Sequence, residues 1–253
     1  MVTTQHYMWA GGHFVLLISA LRYLLATVLF RGPSPWWYKT AFTGALASYA
    51  IVCQKSLGTP QFSYAWVSRA MADENVQYFL LALFWWTSKP IALALVPYAI
   101  FSLFHALTFT RTTLMPQFLT QGPPATANGP PSPHPTQKKL QVWVKANYDT
   151  AMKAVAYTEL LIMLRVLLGA ITFQNSLLSP VFYAHFLRAR WYQSKFTQGA
   201  ITQLNFRIEA YVRSPGAPPM LLQVYDKVKL GVSRWAGSVI APQGAAAGGA
   251  RRQ

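Results

Sequence analysis

The run from Val76 to Thr110 constrains the fold more than any other part of this 253-residue chain. It contains 35 residues, and Lys89 is its single charged side chain. As one helix it would be about 52 Å long, well over the roughly 30 Å of bilayer hydrocarbon. Lys89-Pro90 is the natural break, because Pro90 has no N–H to donate and disfavours helix at the preceding residue. We therefore predict a helical hairpin with arms near 76–88 and 91–110, which either crosses the bilayer or enters and leaves the same leaflet.

Two further apolar segments precede this hairpin. Segment 8–30 has 23 residues with Arg22 as its only full charge, and as a helix of about 34 Å it is long enough to cross a bilayer. A cleaved signal peptide is the alternative, but residues 1–7 contain no Lys or Arg and the apolar run exceeds the usual length of about 7–15 residues. Segment 36–57 carries lysines only near its ends, where they can reach the headgroups. The chain is thus predicted to be an all-α, polytopic integral membrane protein with helical hairpins.

The composition of the whole chain supports this class. Hydrophobic residues make up 53% of the chain and charged residues only 11%, against about 25% in a typical soluble domain. Lys and Arg number 22 and Asp and Glu 6, which gives a net charge of +16. The single cysteine, Cys53, excludes a disulfide framework, and the shortage of acids disfavours an enzyme built on paired carboxylates. The five histidines lack metal-ligand spacing, so no catalytic residue, metal or cofactor is expected.

A proline-rich segment, 117–137, divides the chain into two parts. Six prolines among small and polar residues predict an extended or disordered linker. The N-terminal membrane region then covers 1–116, and a second membrane region covers 138–187. This second region contains a marginal span, Val155 to Phe173, followed by a short apolar arm that ends at Leu187.

The remainder of the chain is basic, and we predict amphipathic helices over 188–241 and a disordered end over 242–253. From residue 188 onward ten Lys and Arg face two acids, which is +8 of the total +16. At about 100° per residue one apolar stripe forms, with basic side chains opposite it or at its border. The stripe comprises Leu221, Val224, Tyr225, Val228, Val232 and Trp235, and the basic residues are Lys227, Lys229 and Arg234.

A basic helix with an apolar face is typical of a segment that lies in the membrane interface, and anionic lipids are its expected partner. The alternative is that the stripe packs on the protein's own membrane helices. Nucleic acid is disfavoured because the basic residues are dispersed and share a helix with an apolar side. The positive-inside rule places this tail, and the basic region around the linker, in the cytosol.

The order of prolines and polar residues resembles a known family. The stretches DENVQYFLLALFWWTSKPIALALVPYAIFSLFHALTFTR, SLLSPVFYAHFLRARW and FRIEAYV are similar in order and spacing to the transmembrane protein 33 family, also called the Krüppel-homologue family. The similarity covers most of 61–212. Its landmarks are Pro90, Pro97, Phe101-Ser102-Leu103, His105-Ala106, Leu178, Phe182-Tyr183 and Phe186-Leu187.

The resemblance implies a non-enzymatic integral protein of the endoplasmic reticulum and nuclear envelope. Members of that family are associated with organising or shaping these membranes and with the distribution of nuclear pores. The implied partners are reticulon-type membrane proteins and nucleoporins, and the basic tail of a nuclear-envelope protein could also contact import receptors. The sequence does not determine the oligomeric state.

Four polar residues within apolar segments are candidates for function, because charges inside a bilayer are rare and costly. They are Arg22, His105, Glu159 and Arg165. A pairing of Glu159 with Arg22 or Arg165 would join helices. A small transporter, channel or channel regulator is the alternative function and would use these residues to line a polar path. An integral-membrane enzyme is a third class that no residue cluster supports.

Overall fold

The computed structural model describes residues 3–61, 63–120, 122 and 131–237, and every regular element within them is helical. The helices are α1 (Thr4–Val28), α2 (Pro35–Leu57), α3 (Tyr64–Ala72), α4 (Glu74–Thr87), α5 (Leu95–Phe109), α6 (Met115–Phe118), α7 (Pro135–Ile171), α8 (Leu178–Gln193), α9 (Lys195–Val212) and α10 (Pro219–Gly237). A 3₁₀ turn, Ala92–Ala94, precedes α5, and a π-helical turn, Thr110–Leu114, follows it. The all-α polytopic class predicted from the sequence is confirmed.

Local chemistry sets the helix ends. The Asp73 carboxylate accepts hydrogen bonds from the backbone N–H groups of Asn75 and Val76, at 2.8 and 3.2 Å, and so caps the start of α4. Gly58 follows α2 with a φ of 71°, a conformation that glycine adopts without steric cost. Helix α4 ends at Thr87, and the residues through Pro90 are not α-helical.

Helices α1–α2, α4–α5 and α7–α8 form three hairpins whose turns lie at the same end of the bundle. The Lys39 ammonium donates to the backbone carbonyl of Trp86, and the Trp86 indole Nε1 donates to Thr43 Oγ1 at 3.1 Å, so the first two turns are neighbours. The stacked rings of Phe84 and Phe182, with centroids 4.6 Å apart, bring the start of α8 beside the end of α4. We call this end of the bundle the turn end.

Helices α1 and α2 approach so closely that their backbones nearly touch. A Cβ atom on Gly12 would lie 2.7 Å from the carbonyl oxygen of Gly44, and one on Gly44 would lie 2.5 Å from that of Gly12. The Ser48 hydroxyl donates to the carbonyl of Trp9 across the same contact, at 2.8 Å. Small residues permit this packing, as at many helix interfaces in membranes.

The core of the bundle is largely aromatic. Trp85, Tyr38, Tyr98, Tyr183 and Phe42 are all almost fully buried in one cluster. Their rings meet mostly edge to face, as in the pair Phe42 and Tyr98, whose centroids lie 5.2 Å apart. Such contacts add to the hydrophobic free energy of burial.

Each hairpin contains one helix that is long and apolar enough to cross a membrane. These are Thr4–Val28, Ala92–Phe118 and Pro135–Ile171, judged by length and composition among the described residues. Their partners are α2, with 23 residues, α4, with 14, and α8, with 16. At about 1.5 Å per residue, α4 and α8 are shorter than the hydrocarbon core.

The segment boundaries differ from those expected over 117–137. Helix α6 reaches Phe118, and α7 begins at Pro135, so helix covers both ends of the predicted linker. His134 caps α7 and Pro135 occupies its first turn, where proline favours a helix because its missing N–H needs no partner. Residues 121 and 123–130 of the linker lie outside the described residues.

The predicted tail also begins too early at 188. Helix α8 continues through that position to Gln193, and both Arg188 and Arg190 are buried. Arg190 is retained in the bundle because it meets the buried Glu159 and the half-exposed Glu74. The predicted disordered end, 242–253, lies outside the described residues.

The chain divides into two compact units, Met1–Thr197 and Gln198–Gln253. The first contains the three hairpins and is called the membrane unit below. The second contains most of α9 and all of α10 and is called the tail unit.

Candidate functional site

The two helices of the tail unit are joined by polar side chains. Glu209 on α9 accepts hydrogen bonds from Lys229 Nζ and Tyr225 Oη on α10, both at 3.0 Å, and from Arg213 Nε, also at 3.0 Å. Arg213 in turn lies 3.5 Å from the Asp226 carboxylate. Lys229, Tyr225 and Arg213 together lower the pKa of Glu209 below its ordinary value, and the Glu209 carboxylate raises the pKa of Lys229. We call these five residues the polar seam.

The apolar stripe of α10 is left exposed by this arrangement. None of the residues of α10 is buried, and Val228 at the centre of the stripe is 57% exposed. Exposure is also high for the other aliphatic members and for the indole: Leu221, Val224, Val232 and Trp235. Tyr225, at the edge of the stripe, faces α9 instead. Much of the apolar stripe of α10 is therefore exposed within the described tail unit.

Helix α9 has an apolar stripe of its own, and it points to the same side of the hairpin. Leu204, Ile208 and Tyr211 are exposed and lie on α9 beside the polar seam. Arg213 meets Asp226 while Glu209 meets Lys229, so the two helices run antiparallel where they touch. At about 100° per residue, each stripe is displaced from the seam in the direction that brings both to one side. The tail unit thus has one apolar side formed by two helices.

The basic residues of α10 lie opposite its apolar stripe or at the border of the stripe. Lys227 and Arg234 are exposed on the face of α10 turned away from α9. Lys229 lies in the polar seam itself. This combination of an apolar side and flanking cations is typical of a helix that lies in a membrane interface.

The membrane unit contains a largely buried ionic network centred on Glu159, for which the sequence predicted a pairing between helices. Glu159 on α7 is 1% exposed, and it accepts a hydrogen bond of 2.6 Å from the Tyr78 hydroxyl on α4. Arg190 Nε on α8 lies 3.7 Å from Glu159, and Arg190 Nη1 contacts the Glu74 carboxylate on α4. The Arg190 guanidinium also stacks over the ring of Tyr78, 5.3 Å from its centroid. Three helices are held together at this point.

The cation that pairs with Glu159 is therefore Arg190. The two partners expected from the sequence, Arg22 and Arg165, lie elsewhere. Arg165 Nη2 instead donates to Gln174 Oε1, at 3.0 Å, in the turn that follows α7. Arg22 lies over the ring of Trp37, 5.9 Å from its centroid. Charge alone groups Arg190 with the basic tail, although its spacing from Tyr183 and Phe186 is that of one helical face.

His105 lies in an aromatic cluster between α1 and α5. Its ring centroid is 4.7 Å from that of His13 and 5.2 Å from that of Trp9. His13 Nδ1 is 2.9 Å from the Ser102 hydroxyl. Within the described part of the chain no three His, Cys, Asp or Glu side chains are grouped so that they could hold a metal ion.

Lys89 and Pro90 lie in the turn between α4 and α5. Helix α4 ends two residues before Lys89, and the backbone of Ser88 is extended. Neither helix arm continues through the proline, as its chemistry requires. The break thereby turns the chain at the same end of the bundle as the other two hairpin turns.

Comparison with known proteins gives a consistent result over almost the whole chain. The family described as transmembrane protein 33/nucleoporin POM33 matches residues 1–238. Nucleoporin POM33 of Chaetomium thermophilum is 35% identical over 246 residues, which cover 90% of this chain and 85% of that protein. Tetra-spanning protein 1 of Schizosaccharomyces pombe is 30% identical over 247 residues, covering 95% and 87% respectively.

A relative from animals is more distant. Transmembrane protein 33 of Homo sapiens is 25% identical over 213 residues, which cover 83% of this chain and 81% of that protein. None of these three relatives is named as a transporter or an enzyme. No solved structure matches the chain. With a family match across 1–238 and relatives aligned over most of both lengths, the chain belongs to the transmembrane protein 33/nucleoporin POM33 family.

Proposed function

We propose that this chain is a non-enzymatic membrane protein of the endoplasmic reticulum and nuclear envelope that organises or shapes the bilayer and supports the distribution or assembly of nuclear pores. The Chaetomium relative is named a nucleoporin, and a relative from Saccharomyces cerevisiae is named a pore membrane protein. Three helices long and apolar enough to cross a membrane support a multi-pass topology.

The exposed apolar side of the tail unit is the observation that carries the proposal. Within the tail unit α10 keeps this stripe off α9: Val228 is 57% exposed and α10 has no buried residue. Exposure of this apolar side to water is unfavourable, because each Å² of apolar surface in contact with water costs about 25 cal/mol of free energy. A bilayer interface would remove this cost, and the flanking cations would add attraction to anionic lipids. Paired helices inserted into one leaflet would act as a wedge.

The distribution of lysine and arginine favours a cytosolic tail. In and beside the three turns at the turn end lie the cations Arg31, Lys39 and Lys89. The opposite end includes Arg69 and Arg111, and the first half of α7 adds four lysines. Short segments rich in Lys and Arg remain in the cytosol. Because α8 runs away from the turn end, the chain leaves the membrane unit on this basic side.

Membrane-bound and soluble partners follow from this orientation. Reticulon-type membrane proteins would meet the chain within the bilayer. Nucleoporins or import receptors would meet the basic tail from the cytosol. Anionic lipids are the partner for which the geometry of the tail gives direct support.

Site-specific fluorescence tests the interfacial tail. In a Cys53→Ser background, Val228→Cys carries an environment-sensitive dye on the apolar side of α10, and Gln223→Cys carries it on the polar side as the matched control. With the full chain in nanodiscs containing anionic lipid, a lipid-attached quencher should quench the dye at 228 much more than the dye at 223. Equal quenching at both positions would refute the proposed interfacial tail.

Cysteine accessibility tests the orientation separately. In sealed microsomes an impermeant maleimide added outside should label Lys139→Cys on the basic side and leave Arg31→Cys at the turn end unlabelled until detergent is added. The reverse pattern would contradict the cytosolic tail while leaving the fold unaffected.

A further inference from the structure

A cavity at the turn end lies between the α4–α5 turn and the α7–α8 turn. Its volume is about 280 Å³, and its polar lining comes from both turns and the adjoining helix ends. The polar residues in the lining include Trp85, Ser88, Lys89, Asn175, Ser176 and Ser179. No element of the tail unit contributes to it.

With α7 crossing the bilayer, the cavity would lie near the level where lipid headgroups meet water. Helix α7, which is long and apolar enough to cross the membrane, ends at Ile171, and the lining residues Asn175 and Ser176 follow directly. The α4–α5 turn lies beside them. A site in this position is within reach of a headgroup from the surrounding leaflet.

The chemistry of the lining favours an anion. Lys89 is the only charged residue that lines the cavity, and none of the lining residues is acidic. Among the ion pairs of the described residues, none involves Lys89. Its position is set by Pro90, which ends the helix and leaves the lysine in the turn.

A buried donor in the wall has no partner. Trp85 is 1% exposed, and its indole Nε1 has no hydrogen-bond partner in the described part of the chain. Asn175 Oδ1, an acceptor on another lining residue, is also buried without a partner in the described part of the chain. Buried polar groups are nearly always hydrogen-bonded, so these two atoms lack partners that a bound group could supply. Ser179, also buried, adds a hydroxyl to the same lining.

We propose that this cavity binds the phosphate group of an anionic headgroup. Lys89 Nζ supplies the opposite charge, and the Ser179 hydroxyl donates a hydrogen bond to a phosphate oxygen. Trp85 Nε1 is fully buried in this conformation and donates another once its ring turns toward the cavity. The volume is slightly below that of sites for whole small molecules, which begin at about 300 Å³, so it suits a headgroup whose acyl chains stay outside. The site is independent of the tail unit and of the function proposed above.

Calorimetric titration of the full chain in non-ionic detergent tests the site with three probes. Dihexanoyl phosphatidic acid offers a lipid phosphate, inorganic phosphate offers the anion alone, and dioctanoylglycerol offers a lipid without phosphate. The phosphate-bearing probe should bind and dioctanoylglycerol should not. Binding of the lipid alone assigns the site to membrane headgroups, and equal binding of inorganic phosphate assigns it to a soluble phosphate; both outcomes support the site.

Two variants locate the binding. Lys89→Gln should weaken it about tenfold, the loss expected for one charge-assisted hydrogen bond. Ser176→Trp keeps the charge but fills the cavity from an exposed turn position, and it should abolish binding. Arg31→Gln removes an exposed cation at the same end outside the cavity and should leave binding unchanged, with the thermal stability of all three variants measured alongside.

Two results would overturn the proposal. One is unchanged binding in both Lys89→Gln and Ser176→Trp. The other is an equal loss in Arg31→Gln, which would show that general positive charge at this end, and not the cavity, attracts the probe.

Discussion

Adding one methyl group between α1 and α2 tests the close approach that organises the first hairpin. In Gly12→Ala the new Cβ would lie 2.7 Å from the Gly44 carbonyl oxygen and 2.2 Å from Ser48 Oγ. Both distances are shorter than the 3.0 Å below which Cβ contacts are essentially never found. The carbonyl belongs to the backbone, so the two helices must move apart.

Opposing terms set the size of the effect. Alanine gains about 1 kcal/mol over glycine in a helix. Overpacking costs about 1–3 kcal/mol. Moving Ser48 away from the carbonyl of Trp9 would cost a further 0.5–1.5 kcal/mol or so for the lost hydrogen bond. We expect Gly12→Ala to lower the free energy of unfolding by about 0.5–3.5 kcal/mol.

The neighbouring glycine provides the matched control. A Cβ on Gly11 meets nothing within 4 Å, so Gly11→Ala should show only the helix-propensity gain of up to about 1 kcal/mol. Both variants can be unfolded reversibly with SDS in mixed micelles and followed by far-UV circular dichroism. Equal stabilities of the two variants would show that the backbones do not approach at Gly12, and the packing assigned to α1 and α2 would be wrong.

Two further predictions concern the ionic contacts. Arg190→Met leaves Glu159 buried without a cation and should cost about 3–5 kcal/mol in the same unfolding assay. Adding Glu159→Gln should recover part of this loss, with a coupling energy of about 0.5–3 kcal/mol, whereas strict additivity would show that the pair does not interact. The polar seam should respond to acid: because the pKa of Glu209 is lowered in the folded tail, its contribution is present above the ordinary value of about 4.3 and is lost as the pH falls through the folded-state pKa. Protection factors for hydrogen exchange in α9 and α10, taken relative to the intrinsic exchange rate at each pH, should therefore fall below about pH 4 in the wild type, and Glu209→Gln should remove this fall.

Hydrophobic segments and the break between them were readable from the sequence because both depend on local chemistry. A proline ends a helix wherever it lies, so the turn at Lys89-Pro90 follows from two residues. The stripe of α10 follows from spacing alone, since the helical period determines which side chains share a face. The same local rules identify His134 only after the helix is known, because its capping role depends on where α7 begins.

Side-chain contacts between segments far apart in the sequence could not be predicted from local chemistry. The choice of Arg190 as the partner of Glu159 depends on how α4, α7 and α8 pack, and several cations were equally available in the sequence. The cavity at the turn end likewise requires two turns, more than 80 residues apart, to lie side by side.

Composition, periodicity and prolines alone therefore determine that this chain is a basic, all-α membrane protein with broken apolar segments and an amphipathic tail. These properties follow from the free energy of transfer of each side chain and from the geometry of a single helix. Only the tertiary structure decided that three hairpins turn at one end, that Glu159 meets Arg190, and that the tail joins its helices through polar groups and leaves its apolar side exposed. Those features arise from contacts between residues far apart in the chain, whose free energies depend on the packing of whole helices.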